Sequence, residues 1–424
     1  MSITKSFLIG LVGMTSSWAI IRFGNNSLFK ILVICILFVN LVGLSIKFRK
    51  MNLNPCFYLM YGSMVITFLF TNSMTIGAEW VKQENIQFFW MTVYAIFYLI
   101  ASAFLDKQIE IYFKGFMYGS LIQMAWVIVQ YMIYTVTGLD INMQLFSKLY
   151  GRSYIKEGGF GASGLAWHPS NLAVLLVILF WVFDSWYWKF IVLVTAILSN
   201  NSTVIICVIT CIVVNIFADK KDKFRSIKIG KRTIVITFIA IFVMLILFIK
   251  TDLLLIASNR ILFIYNRIFG GYYDGGSTNA HIRYYTTIPN VIARYPLTKV
   301  LFGFGEGCSG YVMTSLFGQY SNIGAWALEC DIVNILWNKG LVGFFLFYGW
   351  LLSIVKRGWA VNHKYAYIMF AIIVGGIFYN IQYDWVIVLE VIIDIAIYRK
   401  IDLFAMNYFS KRDNTRLYRS RIKW

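Results

Sequence analysis

Apolar runs of about 20 residues recur along the whole chain, and a run of that length matches the hydrocarbon core of a bilayer. Backbone N–H and C=O groups find no water in lipid, so only helices and closed barrels can cross it. Barrel strands alternate apolar and polar residues, and these runs do not, which excludes a transmembrane barrel. The sequence therefore predicts an all-α polytopic integral membrane protein. Of its 424 residues 59% are hydrophobic and 13% charged, so no separate soluble domain is expected.

Hydropathy predicts about twelve spans, at 7–21, 28–46, 56–76, 86–105, 114–137, 165–183, 187–199, 201–217, 233–249, 328–355, 365–381 and 384–398. The first, "FLIGLVGMTSSWAII", has no small-residue cleavage site and reads as a retained helix. The run 187–199 is short for a straight span, and the polar break Ser199–Thr203 favours a turn over one kinked helix. The net charge of +19 would point to nucleic acid in a soluble protein, but here it is spread by side. With both termini inside, 25 of the 38 lysines and arginines fall on the cytoplasmic face, including those at 47–50, 220–232 and 356–364 and in the basic tail 400–424. That distribution follows the positive-inside rule. No internal repeats are visible, and the six cysteines imply no disulfide framework, although Cys308 and Cys330 share an outer region and could pair.

Two predicted outer connections stand out. One covers about 138–164, the other 250–327. Connections this long inside a compact protein are usually functional, and the aromatic content argues against disorder. The long one carries Arg260, Arg267, Arg283, Arg294 and Lys299 against few acids, and the short one adds Lys148, Arg152 and Lys156. Arginine on an outer loop opposes the topology bias. Guanidinium forks bind phosphate oxygens bidentately, while the simpler reading is attraction to anionic lipid. "GFGEGCSG" (303–310) matches G-x-G-x-x-G but lacks a βαβ setting, so it reads as a tight turn leaving amides near an anion, or as a plain turn. Three scattered histidines make no metal site, and no metal or cofactor is predicted.

"LECDIVNILWNKGLVGFFLFYGW" (328–350) opens a predicted span with Glu329, Asp331, Asn334 and Asn338. Asp331, Asn334 and Asn338 share a helix face, and a polar stripe at this depth suggests a wet cavity. Acids in a first turn also offset the helix dipole, which is the plainer role. Glu390 and Asp394, four apart in the last span, could mark a proton pathway, or Asp394 could pair toward Arg399 or Lys400.

This segment resembles one in the bacterial O-antigen polymerase and ligase superfamily. There an acid or a histidine lies about eleven residues before the first glycine of a Gly-hydrophobic-hydrophobic-Gly step, here Glu329, Gly340 and Gly343. "RYYTTIPNVIARYPLTKVLFGFGEG" (283–307) resembles the family's Arg…Pro-Leu…Leu-Phe-Gly-x-Gly stretch, and "GGFGASGLAWHPSNLAVLL" (158–176) its Gly-Phe…His-Pro-x-Asn segment. "ILSNNST" (197–203) lacks the arginine that often stands there, and Glu329 replaces the ligase histidine, which favours a polymerase.

The resemblance, covering about 115–360, implies a metal-independent membrane glycosyltransferase of GT-C-like fold in the bacterial cytoplasmic membrane. Donor and acceptor would be polyprenyl-pyrophosphate-linked oligosaccharides for capsule, exopolysaccharide or O-antigen synthesis. Membrane lipid, a flippase and a chain-length regulator would be its partners, and nucleic acid would not. Glu329 or Asp331 would serve as base, and Arg283 would bind the pyrophosphate, backed by Arg152, Lys156 and Arg294. His168, His281 and Asn334 are further substrate-binding candidates. A ligase and a lipid-linked oligosaccharide transporter are the alternatives.

Overall fold

The computed structural model describes residues 2–44, 53–200, 277–317 and 330–404, apart from positions 25, 72–75, 105, 151–154, 157–158, 379 and 381–383, together with Val204. The predicted spans 201–217 and 233–249 and most of the tail 400–424 lie outside the described residues. What is described is overwhelmingly helical. The first part runs α1 (Ser2–Thr15), a hairpin of β1 (Arg22–Phe23) and β2 (Asn26–Ser27), α2 (Leu28–Leu44), α3 (Pro55–Phe70), α4 (Ala78–Ser102) and α5 (Asp106–Thr137). There follow α6 (Ile141–Tyr150), a second hairpin of β3 (Ile155–Lys156) and β4 (Gly159–Phe160), α7 (Pro169–Val182) and α8 (Trp186–Leu198). The remainder is α9 (Ser277–Arg294), α10 (Leu297–Phe302), α11 (Ser309–Phe317), α12 (Asp331–Val361), α13 (His363–Phe378) and α14 (Asp384–Tyr398).

Three of these helices, α4, α5 and α12, are long and apolar enough to cross a membrane. Residues 5–15, 28–40, 55–70, 169–182, 186–198 and 363–377 form shorter apolar helices. At 1.5 Å per residue the 14 residues of α7 reach about 21 Å, short of a 30 Å hydrocarbon core. The twelve spans expected from hydropathy are thus matched at full length by three among the described residues. The chain is a helical membrane protein. The predicted connection 250–327 also differs from expectation: its described part, 277–317, folds as α9, α10 and α11. At the polar break after α8, Asn200 takes a left-handed φ of 52°, which ends that helix in a turn.

Glycine fixes the closest helix pair. Gly10 and Gly13 of α1 face Gly115 and Gly119 of α5, and a Cβ on Gly119 would sit 1.9 Å from the Met14 carbonyl oxygen. Lipid gives helices no hydrophobic reason to associate, so close backbone contact through small residues does that work.

Polar cross-links gather the helix ends into two sets. At one end Lys30 Nζ meets Asp384 at 3.0 Å, and Tyr94 Oη donates to the same carboxylate at 2.5 Å. At the other, Lys364 pairs with Asp184 at 2.7 Å, and Arg399 reaches Asp106 at 3.1 Å as well as the carbonyls of Ser102 and Phe104. Asp394 at that second end is fully buried. It accepts from Tyr98 Oη (2.5 Å), Trp350 Nε1 (3.1 Å) and Arg357 Nη2 (2.5 Å). Its partner is therefore Arg357 rather than Arg399 or Lys400, because α12 packs beside α14 while Arg399 turns toward the start of α5.

Candidate functional site

Helix α12 is two helices joined at Gly340, whose φ of 66° breaks the hydrogen-bond ladder. The break is made from outside. Residues 301–305 press against it, and a Cβ on Gly340 would lie 2.3 Å from the Leu301 carbonyl oxygen, while one on Gly303 would lie 2.4 Å from that of Asn338. Phe304 N donates to Trp337 O (2.8 Å) and Gly305 N to Asn338 O (3.1 Å), so the carbonyls freed by the break are satisfied by the glycine turn. Thr67 of α3 donates to Phe302 O at 2.6 Å and ties the turn to the bundle.

The turn's own amides are therefore occupied. Gly303, Phe304, Gly305, Cys308 and Ser309 all donate to protein acceptors, the last to Asn338 Oδ1 at 2.7 Å. The expectation of free amides facing an anion does not hold for them; "GFGEG" is a clamp. The polar stripe is corrected in the same way. Asn334 and Asn338 are buried, and Asn334 Oδ1 accepts from Ser309 Oγ at 2.5 Å and from Asn338 Nδ2 at 3.4 Å. Both asparagines thus bind the start of α11 rather than line a wet cavity, which leaves Asn334 a structural role.

Two further charged groups belong to this clamp. Lys339, wholly buried, pairs with Glu306 at 2.6 Å. Glu84 of α4, 2% exposed, lies against the Gly305 α-carbon, its Oε1 without a partner among the described residues. Burial, against the opposing pull of Glu84 and Cys308, lowers the Lys299 ammonium. Burial also pushes the Cys308 thiol up, and the nearby Glu84 and Glu306 add to it. Glu84 stands in "AEWVKQEN", outside every motif of the sequence, so only the fold of the distant glycine turn reveals it.

Asp331 is the first residue of α12 and is buried. The cap position is Cys330, which makes no side-chain cap. Tyr348 Oη approaches Asp331 Oδ2 at 3.5 Å. Tyr285 of α9 donates to Ile377 O at 2.9 Å, and Cys330 Sγ shares that carbonyl at 3.5 Å. Burial raises the Tyr285 phenol, and the neighbouring Cys330 and Asp331 raise it further. Cys330 and Cys308 are both free thiols, so the pairing allowed by sequence is absent. Glu390 of α14, also buried, feels the Asp331 charge and, among the described residues, leaves Oε2 without a partner.

No family model matches the chain, and no curated protein matches it.

The remaining candidates separate by place. Glu329 and Arg152 lie outside the described residues. Arg283 and His281 fall on the backbone of α9 and Lys156 on β3, with their side chains outside the description. Arg294 is exposed at the end of α9, its Nη1 3.4 Å from Ser315 O. His168 caps α7: its Nδ1 accepts from Ser170 N at 3.1 Å and meets Ser170 Oγ at 2.6 Å, a local helix-start role. Among the described residues no group of three or more His, Cys, Asp and Glu side chains is placed to hold a metal.

Proposed function

We propose that the protein is a polysaccharide repeat-unit polymerase of the bacterial cytoplasmic membrane, with a twelve-span, GT-C-like architecture and both termini inside. The observation that carries the reading is the meeting of two stretches that resemble that family. Arg283 lies on α9, and Tyr285 of that helix and Cys330, the residue before the Asp331 half-helix, donate to the same carbonyl, that of Ile377 in α13. The Pro-Leu…Gly-x-Gly stretch that follows α9 clamps the break that ends this half-helix. A buried carboxylate beside the α9 backbone is what the transfer needs. The acceptor sugar hydroxyl attacks C1 of the donor glycan as its proton passes to Asp331 or Glu329. The C1–O bond breaks, and the polyprenyl diphosphate departs with the electron pair toward Arg283. The cross-links also fit the alternating orientation, since Lys30 with Asp384 joins predicted outer ends and Lys364 with Asp184 predicted inner ones.

The unpartnered Glu390 oxygen near Asp331 favours a second reading, a proton-coupled transporter of lipid-linked oligosaccharide. One experiment separates the readings. Cells carrying Asp331→Asn or Arg283→Ala should accumulate lipid-linked single repeat on the outer face. Single repeat held on the inner face would favour the transporter. Long polymer still attached to lipid would favour a ligase.

A further inference from the structure

The first hairpin presents a cation that the site above does not use. Ile20 N donates to Leu165 O at 3.0 Å, which lays the approach to the hairpin alongside the loop before α7. Arg22 of β1 then stacks on Trp167, its guanidinium carbon 4.4 Å from the ring centre. Its Nε donates to Ala19 O at 3.1 Å, which fixes the plane of the fork. Among the described residues, Nη1 and Nη2 find no acceptor. The carboxylate whose charge acts on Arg22 is already engaged: Asp384 takes Lys30 on one oxygen and Tyr94 on the other. Lys30 differs from Arg22 in this respect, since it has both Asp384 and the face of Trp90, 4.3 Å away. Burial lowers the Arg22 guanidinium, and Asp384 offsets that only in part. Phe23, the next residue, is 63% exposed.

We propose that Arg22, held flat on Trp167, binds the phosphate of a membrane amphiphile. A guanidinium fork matches two oxygens of one phosphate, and an aromatic platform keeps it half-desolvated, where the charge-assisted pair is strongest. Phe23, next on the same strand, gives the hairpin an exposed apolar residue, as contact with an amphiphile at the membrane surface requires. A lysine at position 22 would keep the charge and lose the fork. Two sources carry this chemistry, a phospholipid head group and an isoprenoid diphosphate. The site is defined by its ligand's phosphate and stands apart from the glycan chemistry proposed above.

The test measures binding of radiolabelled farnesyl diphosphate to the full chain in phosphatidylcholine nanodiscs. Arg22→Gln should weaken binding about tenfold or more with the melting temperature unchanged, and Arg22→Lys should fall between it and the wild type. Trp167→Leu, which keeps the arginine and removes its platform, should weaken it less than Arg22→Gln. Phosphatidylglycerol added to the discs names the source: displacement of the probe assigns the site to phospholipid, and its persistence assigns it to an isoprenoid diphosphate. Binding by Arg22→Gln within twofold of wild type overturns the site, as does equal binding by Gln and Lys variants. Every arm is run in an Arg283→Ala background, which removes the proposed transfer site's own hold on the diphosphate, so the site and the polymerase reading stand or fall separately.

Discussion

Asp394 and Glu390 lie one helical turn apart on α14, both buried, and their surroundings are opposite. Asp394 receives three donors, among them Arg357 at 2.5 Å. Glu390, toward the Asp331 end, leaves one oxygen without a partner among the described residues. A buried polar group without its hydrogen bond costs about 1–3 kcal/mol, so a protein keeps one only where something other than stability is gained. The comparison separates a carboxylate that fastens helices from one open to a proton or a ligand.

The largest effect should come from breaking the satisfied side. Asp394→Ala strands Tyr98, Trp350 and Arg357 and should lower stability by about 3 kcal/mol, read as a drop in melting temperature in detergent. Arg357 is partly exposed and can reach water, which keeps the loss at the low end of the range for buried pairs. A melting temperature unchanged by this substitution would erase the contrast.

Next in size is Gly340→Ala. A side chain at φ 66° and ψ −176°, backbone that is essentially glycine's own, costs about 1–3 kcal/mol, and this one must also push residues 301–303 out of the break. The variant should lose a comparable amount of stability and expose the clamp to limited proteolysis near 303–307. Glu390→Gln should do far less, moving stability by under about 1 kcal/mol, because no partner is lost at the unpaired oxygen. A loss as large as that of Asp394→Ala would show that Glu390 is structural too. The smallest expected signal is chemical. Cys308 and Cys330 are buried, and burial raises the Cys308 thiol, so maleimide should label them only after denaturation.

Much of the helical content was legible from apolar runs, because lipid leaves the backbone few choices. The break at Gly340 was not. The glycine step could be seen, but its φ depends on residues 301–305 folding against it, a contact between segments some 35 positions apart. Local spacing also misled at Asp394, where Arg399 and Lys400 are near in sequence while Arg357, on a neighbouring helix, is near in space. "GFMYG" (115–119) carries a close-packing signal that hydropathy averages away. Asp331 was visible as an acid in the wrong place, whereas nothing local to Glu84 or Arg22 marks them, and only the fold sets them beside Gly305 and Trp167.

The central claim is that Asp331 serves chemistry and Asp394 serves the fold. Purified protein supplied with lipid-linked repeat units tests it directly, with product length read on a gel. Asp331→Asn should melt near the wild-type temperature and lose ladder formation about a hundredfold or more, while Asp394→Asn should melt lower yet give a normal ladder from the fraction still folded. A full ladder from Asp331→Asn would contradict the account.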